Sequence, residues 1–200
     1  EEALAEIGIG FLFAPKYHGA MKYAARARKE VGLRSIFNML GPLTNPAGTR
    51  RQLLGVFAPE LTEMFAQALQ RLGAKRVLVV HGHDGLDEIS VCAPTRICEL
   101  DNGQISTYDL SPETYFGRRA EAEEIAGGSP AENAAITKDI LSGDKGAKRD
   151  IVLINAGAAL MAAGLAKDIG QGIEMAETSI DSGAALDKLQ ALITFTQENG

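Results

Sequence analysis

Chemistry is concentrated in one run of eight residues, His81-Gly82-His83-Asp84-Gly85-Leu86-Asp87-Glu88. It carries two histidines and three carboxylates, spaced by glycines that let the backbone turn sharply. Adjacent Asp87 and Glu88 are hard oxygen donors of the kind magnesium takes. Magnesium held by one or two carboxylates completes its shell with water and substrate phosphates. The pair therefore reads as a magnesium-phosphate site, and alternatively as a solvated acidic loop. His81 and His83 raise zinc as a further ligand, but lack the partner cluster that zinc requires.

A second stretch, Phe11-Leu12-Phe13-Ala14-Pro15-Lys16-Tyr17-His18, is aromatic and apolar and leads to Arg26 and Arg28. An aromatic carboxylate would use such a combination, an apolar wall for its ring and a guanidinium for bidentate pairing. On a straight helix His18 and Arg28 would stand roughly 15 Å apart along the axis, so together they would line an elongated path. The alternative is a buried aromatic cluster beside a solvated basic face. Two further motifs stay open. Gly41-Pro42-Leu43-Thr44-Asn45-Pro46 is a rigid connector or a hinge facing substrate. Asn155-Ala156-Gly157-Ala158 either offers a helix N-terminus to an anion or permits tight helix–sheet packing.

The elements that must position these residues follow from pattern. Met21 to Val31 predicts a helix, stopped by Gly32. Two prolines and an Asn-Pro step predict a loop over 41–46. Leu53 to Phe57 and Val77 to Val80 are short apolar runs fit for buried strands. Between them, Pro59 and the spacing of Leu61, Phe65, Ala68, Leu69 and Leu72 predict a helix, ended by Gly73. Strand, helix and strand make a βαβ crossover. The His81–Glu88 run then lies beyond a strand's carboxyl end, where open α/β sheets bind ligands. Ile89 to Cys92, Thr95 to Leu100 and Ile105 to Tyr108 predict a small antiparallel insert, with Asp101-Asn102-Gly103 as a turn. Ser129-Pro130-Ala131-Glu132 has the form of a capping box opening a helix that runs to about Leu141. Asp150 to Ile154 predicts another buried strand, and Ser182 the cap of a final helix over 183–197. The class is α/β, a mostly parallel sheet flanked by helices.

Composition bounds the partners. Hydrophobic residues make up 46% and charged residues 23% of the 200, enough for a sizeable core. The net charge is -6 and no Lys/Arg run exceeds two residues, which disfavours nucleic acid and anionic membranes as partners. No apolar run approaches the roughly 20 residues of a membrane-spanning helix. Cys92 and Cys98 are too few for a disulfide framework and lack zinc-ligand spacing, which suits a reducing compartment.

Taken together, the motifs resemble the anthranilate phosphoribosyltransferase family. They are Phe-Leu-Phe-Ala-Pro-Lys-Tyr-His at 11–18, Arg-Ser-Ile-Phe-Asn-Met-Leu-Gly-Pro-Leu-Thr-Asn-Pro-Ala at 34–47, Val-Val-His-Gly-His-Asp-Gly-Leu-Asp-Glu at 79–88 and Asn-Ala-Gly-Ala at 155–158. Order and spacing match along essentially the whole chain. The departures are Gly19, Arg26 and Ser35, the last keeping the hydroxyl of the usual Thr.

The resemblance implies transfer of a phosphoribosyl group from phosphoribosyl pyrophosphate to the amine of anthranilate, with Mg2+, in tryptophan biosynthesis. It implies that His18 and Arg28 line the anthranilate channel, with Arg28 on the carboxylate and Pro15 and Met21 in the wall. It implies that Asp87 and Glu88 bind magnesium at the pyrophosphate. It further implies a cytoplasmic homodimer, with residues 1–32 in a helical lobe and hinge and 33–200 in the α/β domain. The family's Gly-Thr-Gly-Gly-Asp, Asn-x-Ser-Thr and Lys-His-Gly-Asn-Arg segments do not occur, and the chain opens on Glu-Glu-Ala. The expectation is a fragment of the enzyme that is inactive on its own. A pyrimidine nucleoside phosphorylase and a nucleic-acid-binding relative of the same fold are the rival readings.

Overall fold

The computed structural model describes residues 2–12, 17, 30 and 37–199. The sheet begins with a parallel pair of strands, the second of which is buried along its apolar run from Val77 to Val80. β1 (Arg51–Gly55) and β2 (Arg76–Gly82) pair in parallel, with Leu53 opposite Leu78 and Gly55 opposite Val80. The crossover between them is α3 (Glu60–Arg71), and Gly73 follows it at φ +86°. Two short helices precede β1: α1 (Glu2–Glu6) and α2 (Phe37–Leu43). From β2 the chain enters an antiparallel hairpin, β3 (Thr95–Asp101) and β4 (Gln104–Leu110). The order is β1-β2-β3-β4, one mixed sheet. The hairpin expected as an insert is therefore the continuation of the same sheet, with one parallel and two antiparallel pairings among the described residues. Asn102 (φ 47°) and Gly103 (φ 88°) make its turn, the left-handed pair that a two-residue hairpin needs.

Alternate side chains of β2 enter opposite layers. Val77 and Val79 pack with Phe65, Ala66 and Leu69 of α3. Leu78 and Val80 pack with Ile89, Ile97, Leu153, Ile154 and Ala158 on the other face. That is why β2 reads as a continuous apolar run and not as an alternating one. The second layer is helical: α4 (Glu113–Phe116), α5 (Ala122–Ile125), α6 (Pro130–Leu141), α7 (Ala147–Ala163), α8 (Ile169–Asp181) and α9 (Ala184–Asn199). The Ser129 box that opens α6 is closed both ways, Glu132 N–H to the Ser129 hydroxyl and Ser129 N–H to the Glu132 carboxylate.

Four expectations are corrected. Asp150 to Ile154 is not a strand but lies within α7. Over a longer window the buried residues there run Leu153, Ile154, Gly157, Ala158, Met161, Ala162, the pairwise repeat of one helical stripe. Ile89 to Cys92 is a connecting segment without ladder pairing. Gly41 and Pro42 lie inside α2. Gly41 has no Cβ to clash with the following proline ring, and Thr44 closes the turn by returning its N–H and hydroxyl to the Leu40 carbonyl. Loop structure begins only there, where the Asn45 side chain accepts from Ala47 N–H. Ser182 ends α8 instead of opening α9, which begins just past Gly183. Of the expected helix over 21–31, only Glu30 lies among the described residues, and it is helical.

α7 and α8 cross backbone to backbone. A Cβ on Gly172 would lie 2.3 Å from the Gly157 carbonyl oxygen, and one on Gly157 would lie 2.8 Å from the Ile173 nitrogen. Tight packing is thus the role of Gly157 and Ala158 in the 155–158 motif, Gly157 against α8 and Ala158 against Leu78 and Val80 of the sheet. Gly172→Ala is expected to lower stability by about 2 kcal/mol, overpacking outweighing the roughly 1 kcal/mol of helix propensity that alanine returns. Urea unfolding of the variant checks this, and an unchanged or higher midpoint would contradict it.

Candidate functional site

The parallel pairing puts the carboxyl ends of β1 and β2 side by side, and the 82–95 connection folds over both. Gly55, the last residue of β1, is pressed against the connection: a Cβ there would stand 1.5 Å from the carbonyl oxygen of Asp87. Only glycine lets the Asp87 peptide come this close. The connection is otherwise bound by its own polar groups. Gly82 N–H donates to the Leu86 carbonyl at 2.8 Å, and Gly85, at φ +97°, turns the chain back. The Ser90 hydroxyl donates to Asp84 Oδ2 at 2.5 Å and accepts from the N–H groups of Cys92 and Ala93. Ser90 N–H donates to Thr95 Oγ1 at 2.9 Å.

Ile89 is fully buried, yet its peptide groups pair with no strand. They pair with Asn155 in the middle of α7: Ile89 N–H donates to Oδ1 at 2.9 Å, and Nδ2 donates to the Ile89 carbonyl at 2.8 Å. Nδ2 also donates to the Ile151 carbonyl one turn back. Asp87 and Glu88 stay exposed within this fastened segment.

Their electrostatics follow from that placement. The Glu88 carboxyl is held above its ordinary value of 4.5, first by partial burial and then by the negative charges of Asp87 and Asp84. A cation beside the pair would relieve this repulsion, and two adjacent carboxylates are hard donors, so the residues present fit magnesium. Among the described residues no three His, Cys, Asp or Glu side chains converge on one point.

The histidines do other work. His81 is buried, with Nδ1 2.8 Å from the Val56 carbonyl, so that nitrogen carries the proton and ties the end of β2 to the end of β1. His83 is exposed and faces Asp109 of β4 at 3.4 Å. Cys92 and Cys98 are unpaired, and burial pushes both thiols up, away from thiolate chemistry. Of the expected site residues the structure brings Asp87 and Glu88 together. Pro15, His18, Met21 and Arg28 lie outside the described residues. Nothing in the sequence marks Gly55 or Ser90 as a support for the pair, and Asp84 and Asn155 are visible there only as members of their motifs.

The family model described as glycosyl transferase family, a/b domain, matches residues 1–186. The chain belongs to that family. Within the glycosyl transferase family, an anthranilate phosphoribosyltransferase of Syntrophobacter fumaroxidans is 64% identical over 199 residues, covering 100% of this chain and 59% of the relative. The solved anthranilate phosphoribosyltransferase of Thermus thermophilus superposes with a TM-score of 0.89 at 42% identity, over 98% of this chain and 58% of that one. The Saccharomyces cerevisiae anthranilate phosphoribosyltransferase solved with PRPP and Mg superposes at 0.79 and 32% identity, over 88% of this chain and 51% of that one. The chain thus spans 59% of the length of the Syntrophobacter relative.

The raised Glu88 carboxyl has a consequence for pH. The folded state holds this proton more tightly than the unfolded chain. The associated stability is complete below the ordinary value of 4.5 and is lost as pH rises through the higher folded value. Glu88→Gln is expected to lose no such stability, so its melting temperature should gain on the parent's as pH rises through that window. Parallel melting curves for the two would contradict the placement of Glu88.

Proposed function

We propose that the full-length protein transfers the phosphoribosyl group of phosphoribosyl pyrophosphate to the amine of anthranilate, releasing pyrophosphate. The observation that carries this is the exposed Asp87–Glu88 pair, fastened at the carboxyl ends of two parallel strands in a glycosyl transferase family member. The names of the relatives, and the PRPP and Mg in the yeast structure, supply the substrate class.

In this reading the anthranilate nitrogen forms a bond to the anomeric carbon while the carbon–oxygen bond to pyrophosphate breaks with its electron pair. The nitrogen then gives up a proton. A neutral arylamine is already nucleophilic, so the residues act by positioning the two substrates and by balancing charge on the leaving group. Asp87 and Glu88 would hold Mg2+, which when bound neutralises charge on the pyrophosphate oxygens. Arg28 would pair with the anthranilate carboxylate, and His18, Pro15 and Met21 would line the ring's path. Residues 1–32 would form the helical lobe and hinge, and 33–200 the α/β domain. We place the enzyme in the cytoplasm, which the unpaired thiols suit, and as a homodimer on the strength of the family resemblance. No described helix is long and apolar enough to cross a membrane.

The test is loss of anthranilate fluorescence in the full-length enzyme on adding phosphoribosyl pyrophosphate and magnesium. Changing Asp87 and Glu88 together to Ala should lower kcat on the order of a hundredfold or more. The melting temperature should change little, because both side chains are exposed. A folded wild type without turnover would remove the anthranilate reading and direct the search to nucleosides and phosphate.

A further inference from the structure

We propose that Asn155 is a positioning residue for the metal site, acting through the peptide that follows Glu88. The inference rests on Asp87 and Glu88 being the magnesium ligands. Asn155 is 66 residues away in sequence and belongs to a helix of the opposite layer. It nevertheless reads both polar backbone groups of one residue, accepting from Ile89 N–H at 2.9 Å and donating to its carbonyl at 2.8 Å. A carboxamide carries its acceptor and its donors on separate atoms, so it can answer the N–H and the carbonyl of one residue at once.

Three observations make this an orienting contact and not only a satisfied polar pair. First, the amide cannot rotate freely, because Nδ2 is also held by the Ile151 carbonyl at 2.9 Å. Second, the peptide that joins Asp87 to Glu88 is itself packed against β1, with the Asp87 carbonyl lying where a side chain on Gly55 would be. Third, the segment cannot yield just downstream, because Ser90 is tied to Asp84 and Thr95. Asp87 and Glu88 are thus suspended between a sheet and a helix, and the direction of Glu88 depends on the peptide that Asn155 holds. Loss of Asn155 frees that peptide while leaving both carboxylates present. Groups that orient metal ligands in this way are worth roughly 10–100-fold in metal affinity.

The experiment uses the full-length enzyme, with manganese in place of magnesium and pyrophosphate present. Bound manganese is read by electron paramagnetic resonance, and exchange of the Ile89 amide is read by hydrogen–deuterium exchange. Asn155→Leu keeps roughly the size but removes the acceptor of Ile89 N–H together with both donors. It is expected to weaken manganese binding roughly tenfold or more, to speed Ile89 exchange, and to leave the KM for anthranilate unchanged. A folded variant with faster Ile89 exchange and wild-type manganese affinity overturns the proposal. If Asn155→Leu fails to fold, Asn155→Gln keeps donors and acceptor but displaces them by one methylene. Weaker manganese binding in folded Asn155→Gln then supports positioning. Unchanged binding, or unfolding of both variants, leaves Asn155 a purely structural residue and overturns the proposal. A wild type that binds no manganese with pyrophosphate would sink the metal reading itself, and this inference with it.

Discussion

A buried peptide has to satisfy its N–H and its carbonyl wherever the chain leaves a strand, and that constraint organises this molecule. After Gly82 the chain turns out of β2, yet by Ile89 it is back in the dry interior without a neighbouring strand to bond with. An unpaired buried peptide group costs about 1–3 kcal/mol, so a partner must be supplied from elsewhere. The supplier is a single carboxamide on α7. Much of the surrounding architecture can be understood as what brings that carboxamide to the place. α7 needs its apolar stripe to lie on β1 and β2, and α8 needs glycines to approach α7 closely enough to cover it.

The same packing gives the acidic pair its character. Fastening of the connection around Asp87 and Glu88 leaves two carboxylates at the surface with a third, Asp84, close enough to raise Glu88. Asp84 is already occupied by the Ser90 hydroxyl, so it contributes charge while the adjacent pair offers free oxygens. The sheet thereby produces a site that holds more negative charge than it can comfortably balance. Under the proposed function, a cation and the anion it brings with it would complete such a site.

Parts of this were legible in the sequence because their signals are local. The strand–helix–strand unit around Leu53, Pro59 and Val77, the Asn102-Gly103 turn and the Ser129 box each announce themselves within a few residues. So does the Asp87–Glu88 pair. Asp150 to Ile154 misled because a five-residue window, apolar after its first position and rich in β-branched side chains, fits a strand and a helix equally. Only the continuation through Gly157 and Met161 reveals the helical stripe. Pro42 misled because the rule against proline in helices assumes an ordinary residue before it, and Gly41 is not one. Asn155 and Gly55 could not be seen as supports of the acidic pair, since their contacts with Ile89 and Asp87 exist only after folding.

The crossing of α7 and α8 has a bearing on how such a sequence can change. Gly157 and Gly172 each occupy the space that a side chain on the other's helix would need, and both are already the smallest residue available. Neither can therefore be rescued by shrinking its partner, which closes the usual two-step path of a damaging substitution followed by a compensating one. Relief would require α7 itself to shift, and α7 carries Asn155 two residues before Gly157. A drifting mutation at this distant crossing would be felt at Ile89, so sequence change there is coupled to the acidic pair without any contact between them.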